Sequence, residues 1–221
     1  MIRAQLKRAG GLSLDNRNPA AKAARLLRRR LVPKYRRFSA MWSQINQIEG
    51  FLVPGQEWWL YNMAYKLEDD AVIVEIGSFK GRSTSCLALG CIGTSKHVYA
   101  IDTFNGNDVD FPNRNFMDEF RKNLNQLGVT RYVTPMVGAS VDIAREWHKP
   151  IDFIFIDGSH HYDDVVADFE NFYPYVKPGG IIALHDITPT WPGPTDCWKN
   201  VAVPRLRECA FCSTIGFGKK P

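Results

Sequence analysis

Apolar residues in this chain gather into short runs that stop at turn signals and alternate with stretches of helical period. Residues 72–76 read Val-Ile-Val-Glu-Ile and break at Gly77; residues 151–156 read Ile-Asp-Phe-Ile-Phe-Ile and break at Asp157-Gly158. Short continuous apolar runs of this kind mark strands covered on both faces, whereas a half-exposed strand alternates. The pattern predicts strands over Val72–Ile76, Val98–Ile101, Tyr132–Met136, Ile151–Ile156, Ile181–Leu184 and Phe211–Ile215. Between them it predicts helices over Arg82–Leu89, Phe116–Leu127, Val141–Trp147, Tyr162–Phe172 and Val201–Glu208. Strand and helix in regular alternation give an α/β fold with a doubly wound, mostly parallel sheet. Only Gly216 to Pro221 follow the sixth strand, so a seventh is expected to be missing or rudimentary.

Upstream of the alternation the pattern changes. Residues 1–18 have little periodicity and are expected to be poorly ordered. Asn18-Pro19 can start a helix through Ala20–Leu31 that Pro33 ends. A short helix is expected over 38–49. Gln56–Lys66, with Trp58, Trp59, Leu60 and Met63, reads as a broadly apolar helix that covers the sheet edge or a ligand mouth. The chain is therefore divided into a basic N-terminal extension, 1–47, partly disordered or helical, and an α/β domain, 48–221.

Composition changes this picture in three ways. The 221 residues suffice for one sizeable domain and not for two. The net charge of +5 is concentrated: residues 1–40 carry twelve Lys and Arg against only Asp15, and the remainder is net acidic. Such a segment suits nucleic acid or an anionic surface, or else docks on the acidic body or on a second copy; nucleic acid is the less expected partner but stays open, as does a homo-oligomer. No run has the length of a membrane span and the basic start has no apolar core with a cleavage site, so a cytoplasmic protein is expected. The five cysteines, Cys86, Cys91, Cys197, Cys209 and Cys212, are odd in number and read as reduced thiols.

The first strand carries the main chemical signal. It runs into Glu75-x-Gly77-Ser78-x-x-Gly81-Arg82-Ser83-Thr84, a tight turn that restarts as a helix. Such a turn brings bare backbone and a helix N-terminus up to a ligand. The next strand ends in Asp102-Thr103, where an acid can accept hydrogen bonds from both hydroxyls of a ribose. A nucleoside-containing cofactor follows. Dinucleotide turns show three glycines, and a carboxylate beside the first one repels a pyrophosphate, so a cationic cofactor fits better; a nicotinamide dinucleotide remains the alternative.

Glu75, Gly77, Ser78, Gly81, Arg82, Ser83, Thr84 and Asp102 closely resemble the first two motifs of class I S-adenosylmethionine-dependent methyltransferases. The resemblance implies a Rossmann-like fold with the amino-acid end of the cofactor at Glu75, Gly77, Ser78, Gly81, Ser83 and Thr84. It implies the ribose at Asp102 and Thr103. The loop after the third strand, Gly138-Ala139-Ser140, offers small residues and a hydroxyl for the adenine edge.

The fourth strand ends in Asp157-Gly-Ser-His160-His161 and the fifth in His185-Asp186. Parallel neighbours put Asp157 and Asp186 side by side, and two converging carboxylates need compensation. A hard divalent cation such as Mg2+ supplies it, with Asp157, Asp186 and His185 as ligands. Asp157, which also borders the cofactor, His160 or His161 could take a proton from an acceptor hydroxyl. The segments 151–162 and 177–186 resemble macrocin-type O-methyltransferases and cephalosporin-hydroxylase-like proteins, with His-Asp where some members have Asp-Asp. That resemblance implies O-methylation of a small polar or glycosyl acceptor. An RNA-directed methyltransferase using the basic N-terminus is the other class left open.

Overall fold

The computed structural model describes residues 33–106 and 114–221. The helix expected over 20–31, and residues 107–113, lie outside them. The chain divides into two compact units, Met1–Ala40 and Met41–Pro221. The described part opens on a helix, α1 (Pro33–Ile45), with Pro33 at its start. Proline fits a first helical turn because no N–H is needed there and its φ is already helical.

From residue 56 the order is α2 (Gln56–Lys66), β1 (Val72–Ile76), α3 (Arg82–Gly90), β2 (His97–Asp102), α4 (Met117–Gln126) and β3 (Val133–Val137). It continues α5 (Ser140–Glu146), β4 (Ile151–Ile156), α6 (Tyr162–Phe172), β5 (Val176–Leu184), α7 (Pro192–Cys197), β6 (Arg207–Cys212) and β7 (Ile215–Lys219). These strands form one seven-stranded sheet in the order β3-β2-β1-β4-β5-β7-β6. The first five are parallel, and β7 and β6 are antiparallel additions. The central strands are buried nearly throughout: Ile73, Val74, Phe153 and Phe155 are inaccessible to solvent. This is why they read as apolar runs. On one face Trp147, Phe169, Phe172 and Trp198 pack against the sheet.

The C-terminal end corrects the sequence reading. A seventh strand is present, and β6 starts at Arg207, inside the stretch expected to be helical. After α7 the chain continues through a π-turn over Trp198–Ala202 and a 3-10 turn over Val203–Arg205. Pro204 then ends the helical path, since it has no N–H to continue it. The β6–β7 hairpin turns through Ser213 and Thr214, with Ser213 at φ 55. No glycine or asparagine announces it, so the usual hairpin signal is missing. Lys177-Pro178-Gly179-Gly180, a composition typical of turns, lies within β5, where the register with β4 shifts between Ile151 and Phe153. No helix among the described residues is long and apolar enough to cross a membrane.

Candidate active site

Open α/β sheets bind ligands beyond the C-terminal ends of their parallel strands. Here β1 turns at Gly77, whose φ is 86 and whose missing side chain admits the loop after β4: a Cβ would come within 2.0 Å of the Asp157 carbonyl oxygen. The turn is held from two sides. In front, the backbone N–H groups of Ser78 and Phe79 each donate to Asp102 Oδ2 at 2.8 Å, and that of Phe104 donates to Oδ1 at 2.7 Å. Phe79 and Phe104 both adopt positive φ, 45 and 54, a conformation uncommon for an aromatic residue.

Behind the turn, Glu75 is fully buried. Its Oε2 accepts hydrogen bonds from the hydroxyls of Ser78 (2.9 Å) and Thr84, and its Oε1 has no partner. Burial pushes its pKa up to about 7 against the lowering effect of the Thr84, Ser83 and Ser78 hydroxyls. Glu75 and Thr84, both expected at the cofactor, are thus sealed behind the loop, Ser83 is buried, and Ser78 links the two sides. Thr103 is exposed beside Asp102. The Gly138 N–H donates to the Asp102 carbonyl at 3.0 Å, which ties the loop after β3 to the same mouth.

Ser140 donates to Asp168 Oδ1. Asp168 is only 6% exposed, although Asp163 and Asp164 on the same helix are exposed. Its side chain points inward with Val165, Phe169 and Phe172. Burial raises its pKa to about 6.

Residues Ile156 and Leu184 pair directly, so Asp157 and His185-Asp186 leave the sheet together. Their donor atoms all lie within 4.8 Å of one another. His185 Nδ1 lies 2.9 Å from Asp157 Oδ1 and 3.2 Å from Asp186 Oδ2. Its Nε2 faces Gln56 Oε1 at 3.0 Å, in the interior. Burial would lower the His185 pKa, but Asp157 and then Asp186 outweigh it and raise it to about 10. For Asp157 burial wins and the pKa rises, with His185 opposing. For Asp186 burial is outweighed by hydrogen bonds from His160 and His185, which hold it below the usual carboxylate range. The positive charge that these oxygens face here is the His185 imidazolium. An imidazole nitrogen and two carboxylates are also a fitting donor set for a divalent metal ion.

His160 Nε2 meets Asp186 Oδ2 at 2.9 Å, and its ring stacks on Trp191 at 3.9 Å. Gly193 permits this, since a Cβ there would lie 2.1 Å from the His160 carbonyl oxygen. His161, the other candidate base, is exposed at the start of α6, and its backbone N–H goes to Ser159 Oγ at 3.1 Å. The structure thus joins His160, and not His161, to the acids. Gln56 was not anticipated in this cluster.

A family model described as a methyltransferase domain matches residues 74–187, just over half of the chain. The chain belongs to this methyltransferase-domain family. The matched span includes the β1 turn, Asp102, Asp157 and the His185-Asp186 pair. Among relatives, the uncharacterized protein R132 of Acanthamoeba polyphaga mimivirus is 29% identical over 137 residues, covering 58% of this chain and 57% of that protein. Demethylmacrocin O-methyltransferase of Streptomyces fradiae is 40% identical over 47 residues, 21% of this chain and 12% of that one. The chain spans 13% and 57% of the first two curated relatives it matches. An O-methyltransferase of Bacillus cereus solved in complex with SAH has a TM-score of 0.61 at 19% identity, over 90% of this chain and 97% of that one. At that identity the likeness establishes the methyltransferase fold.

Proposed function

We propose that this methyltransferase-family chain is an S-adenosylmethionine-dependent O-methyltransferase acting on a hydroxyl of a small polar or glycosyl acceptor. A divalent cation at Asp157, His185 and Asp186 assists. The 48–221 domain carries the reaction, preceded by the basic 1–47 extension, in a cytoplasmic protein. The observation that carries this reading is the juxtaposition, at one sheet edge, of the Gly77 turn braced on Asp102 with the Asp157–His185–Asp186 cluster and His160.

The geometry supports the following roles. The Gly77–Gly81 turn leaves backbone bare for the amino-acid end of the cofactor, and Asp102 stands at the ribose position. Bound S-adenosylmethionine supplies an electrophilic methyl group. A divalent cation, when bound, holds substrate oxygens and lowers a hydroxyl's pKa. Asp186 accepts the Nε2–H of His160, so His160 Nδ1 carries the lone pair that takes the acceptor's proton. Trp191 fixes the plane of that ring, and positioning of this kind is a large share of catalysis in methyl transfer.

Calorimetric titration of the full chain with S-adenosylhomocysteine, with and without Mn2+ or Mg2+, tests the reading. Micromolar-range binding is expected, followed by methyl transfer from labelled S-adenosylmethionine in a screen of hydroxyl acceptors. No binding under either condition, with NAD binding in its place, sinks it.

A further inference from the structure

We propose that Gln56 is a positioning residue that fixes which nitrogen of His185 faces Asp157 and Asp186. The inference rests on the cation reading above and names the part of the chain, far from the matched strands, that prepares the cluster.

Gln56 opens α2 and is fully buried. Its Oε1 accepts the Val53 N–H at 2.9 Å, and its Nε2 donates to Thr214 Oγ1 at 2.8 Å. A backbone N–H can only donate, so the first contact settles which amide atom is the carbonyl oxygen. That same oxygen faces His185 Nε2 at 3.0 Å across 129 positions of sequence. It can only accept, so the hydrogen is on Nε2. Nε2 keeps its hydrogen on Gln56 whether Nδ1 donates to the acids or binds a metal, so only Nδ1 can offer a lone pair. Nδ1 is the atom that lies 2.9 Å from Asp157 Oδ1 and 3.2 Å from Asp186 Oδ2. A divalent cation bound there would take the place of the Nδ1 hydrogen between the imidazole and the two carboxylates. Gln56 thereby selects Nδ1 as the ligand atom. Ligating histidines have their other N–H held in this way, and loss of such a partner costs about 10–100-fold in metal affinity.

The test compares the full-length protein with Gln56→Met, which keeps the length and removes the acceptor, and Gln56→Glu, which keeps an acceptor. Each is titrated calorimetrically with Mn2+ and Zn2+, and with S-adenosylhomocysteine as a control for the fold. Gln56→Met should weaken metal binding about 10–100-fold. Its cofactor affinity should move by less than about threefold. Gln56→Glu should keep the wild-type metal affinity. Long-range proton–nitrogen correlation on the zinc-loaded wild type should show Nδ1 of His185 as the metal-shifted nitrogen, with Nε2 protonated; this arm stands even if Gln56→Met does not fold. Equal metal affinity in Gln56→Met, or a metal-shifted Nε2, overturns the proposal while the cation reading survives. A wild type that takes up neither metal overturns the cation reading and this inference with it.

Discussion

Glu75 and Asp157 sit on neighbouring strands and are both burdened by burial, yet their charges are handled in opposite ways. Glu75 is surrounded by hydroxyls: Ser78 and Thr84 donate to one oxygen and the other has no partner. Neutral donors do not offset the desolvation of a carboxylate, so its pKa rises to about 7. Asp157 and Asp186 instead converge on a histidine whose pKa they raise to about 10. The first arrangement is closed. It can take up a proton and brace a loop. The second is built around the positive charge of His185. The difference teaches that a buried acid in a cleft is not by itself a functional sign; the nature of its compensation is.

The largest effect that would break this contrast lies in the open cluster. Asp186→Ala removes a proposed cation ligand and the partner of His160 together. Metal affinity should fall by at least ~100-fold, more than is usual for an outer-shell group. Turnover with an acceptor found by screening should fall with it, while S-adenosylhomocysteine still binds. Equal turnover in excess chelator would show that the cluster is as inert as the Glu75 pocket.

The closed pocket gives the next effect, in stability and with a defined sign. The folded-state pKa of Glu75 is about 7 against an ordinary value of 4.5. An acid whose pKa is raised on folding binds its proton more tightly in the folded state. Its contribution is therefore fully present below about pH 4.5 and is lost as pH rises through about 7. The swing is roughly 3 kcal/mol. Urea unfolding at pH 5 and pH 8 should show that loss in the wild type and a flatter profile in Glu75→Gln. Parallel profiles would mean that Glu75 stays charged in a pocket less closed than it looks.

The contrast was only half legible in the sequence. The strand Val72–Ile76 and the meeting of Asp157 with Asp186 follow from apolar runs and parallel neighbours, both local rules. Whether a given acid faces in or out is decided by packing. Asp168 shows where a signal was overlooked. Val165, Asp168, Phe169 and Phe172 recur at helical spacing and form the buried face of α6, so Asp168 belongs to that stripe. Its neighbours Asp163 and Asp164 are exposed and hid it. Gln56 had no such trace, because its partner stands 129 positions away. The seventh strand was lost because its turn, at Ser213 and Thr214, uses no glycine.

Asp102 stands between the two extremes and gives the smallest and sharpest test. Like Glu75 it is held by neutral donors, but these are three backbone N–H groups, from Ser78, Phe79 and Phe104, and the group is only partly buried at the mouth. A carboxylate held by backbone donors has lone pairs left to accept from a ligand. Asp102→Ala should weaken S-adenosylhomocysteine binding by about 10- to 100-fold, the size of one or two hydrogen bonds to a charged group. Part of that loss would be structural, because two of its donors shape the Gly77 turn. A cofactor analogue lacking one ribose hydroxyl separates the two contributions. If Asp102 touches the ribose, removing the hydroxyl costs affinity in the wild type and costs nothing further in the variant. If it only braces the turn, the analogue loses the same factor in both proteins, and Asp102 then belongs with Glu75 on the structural side.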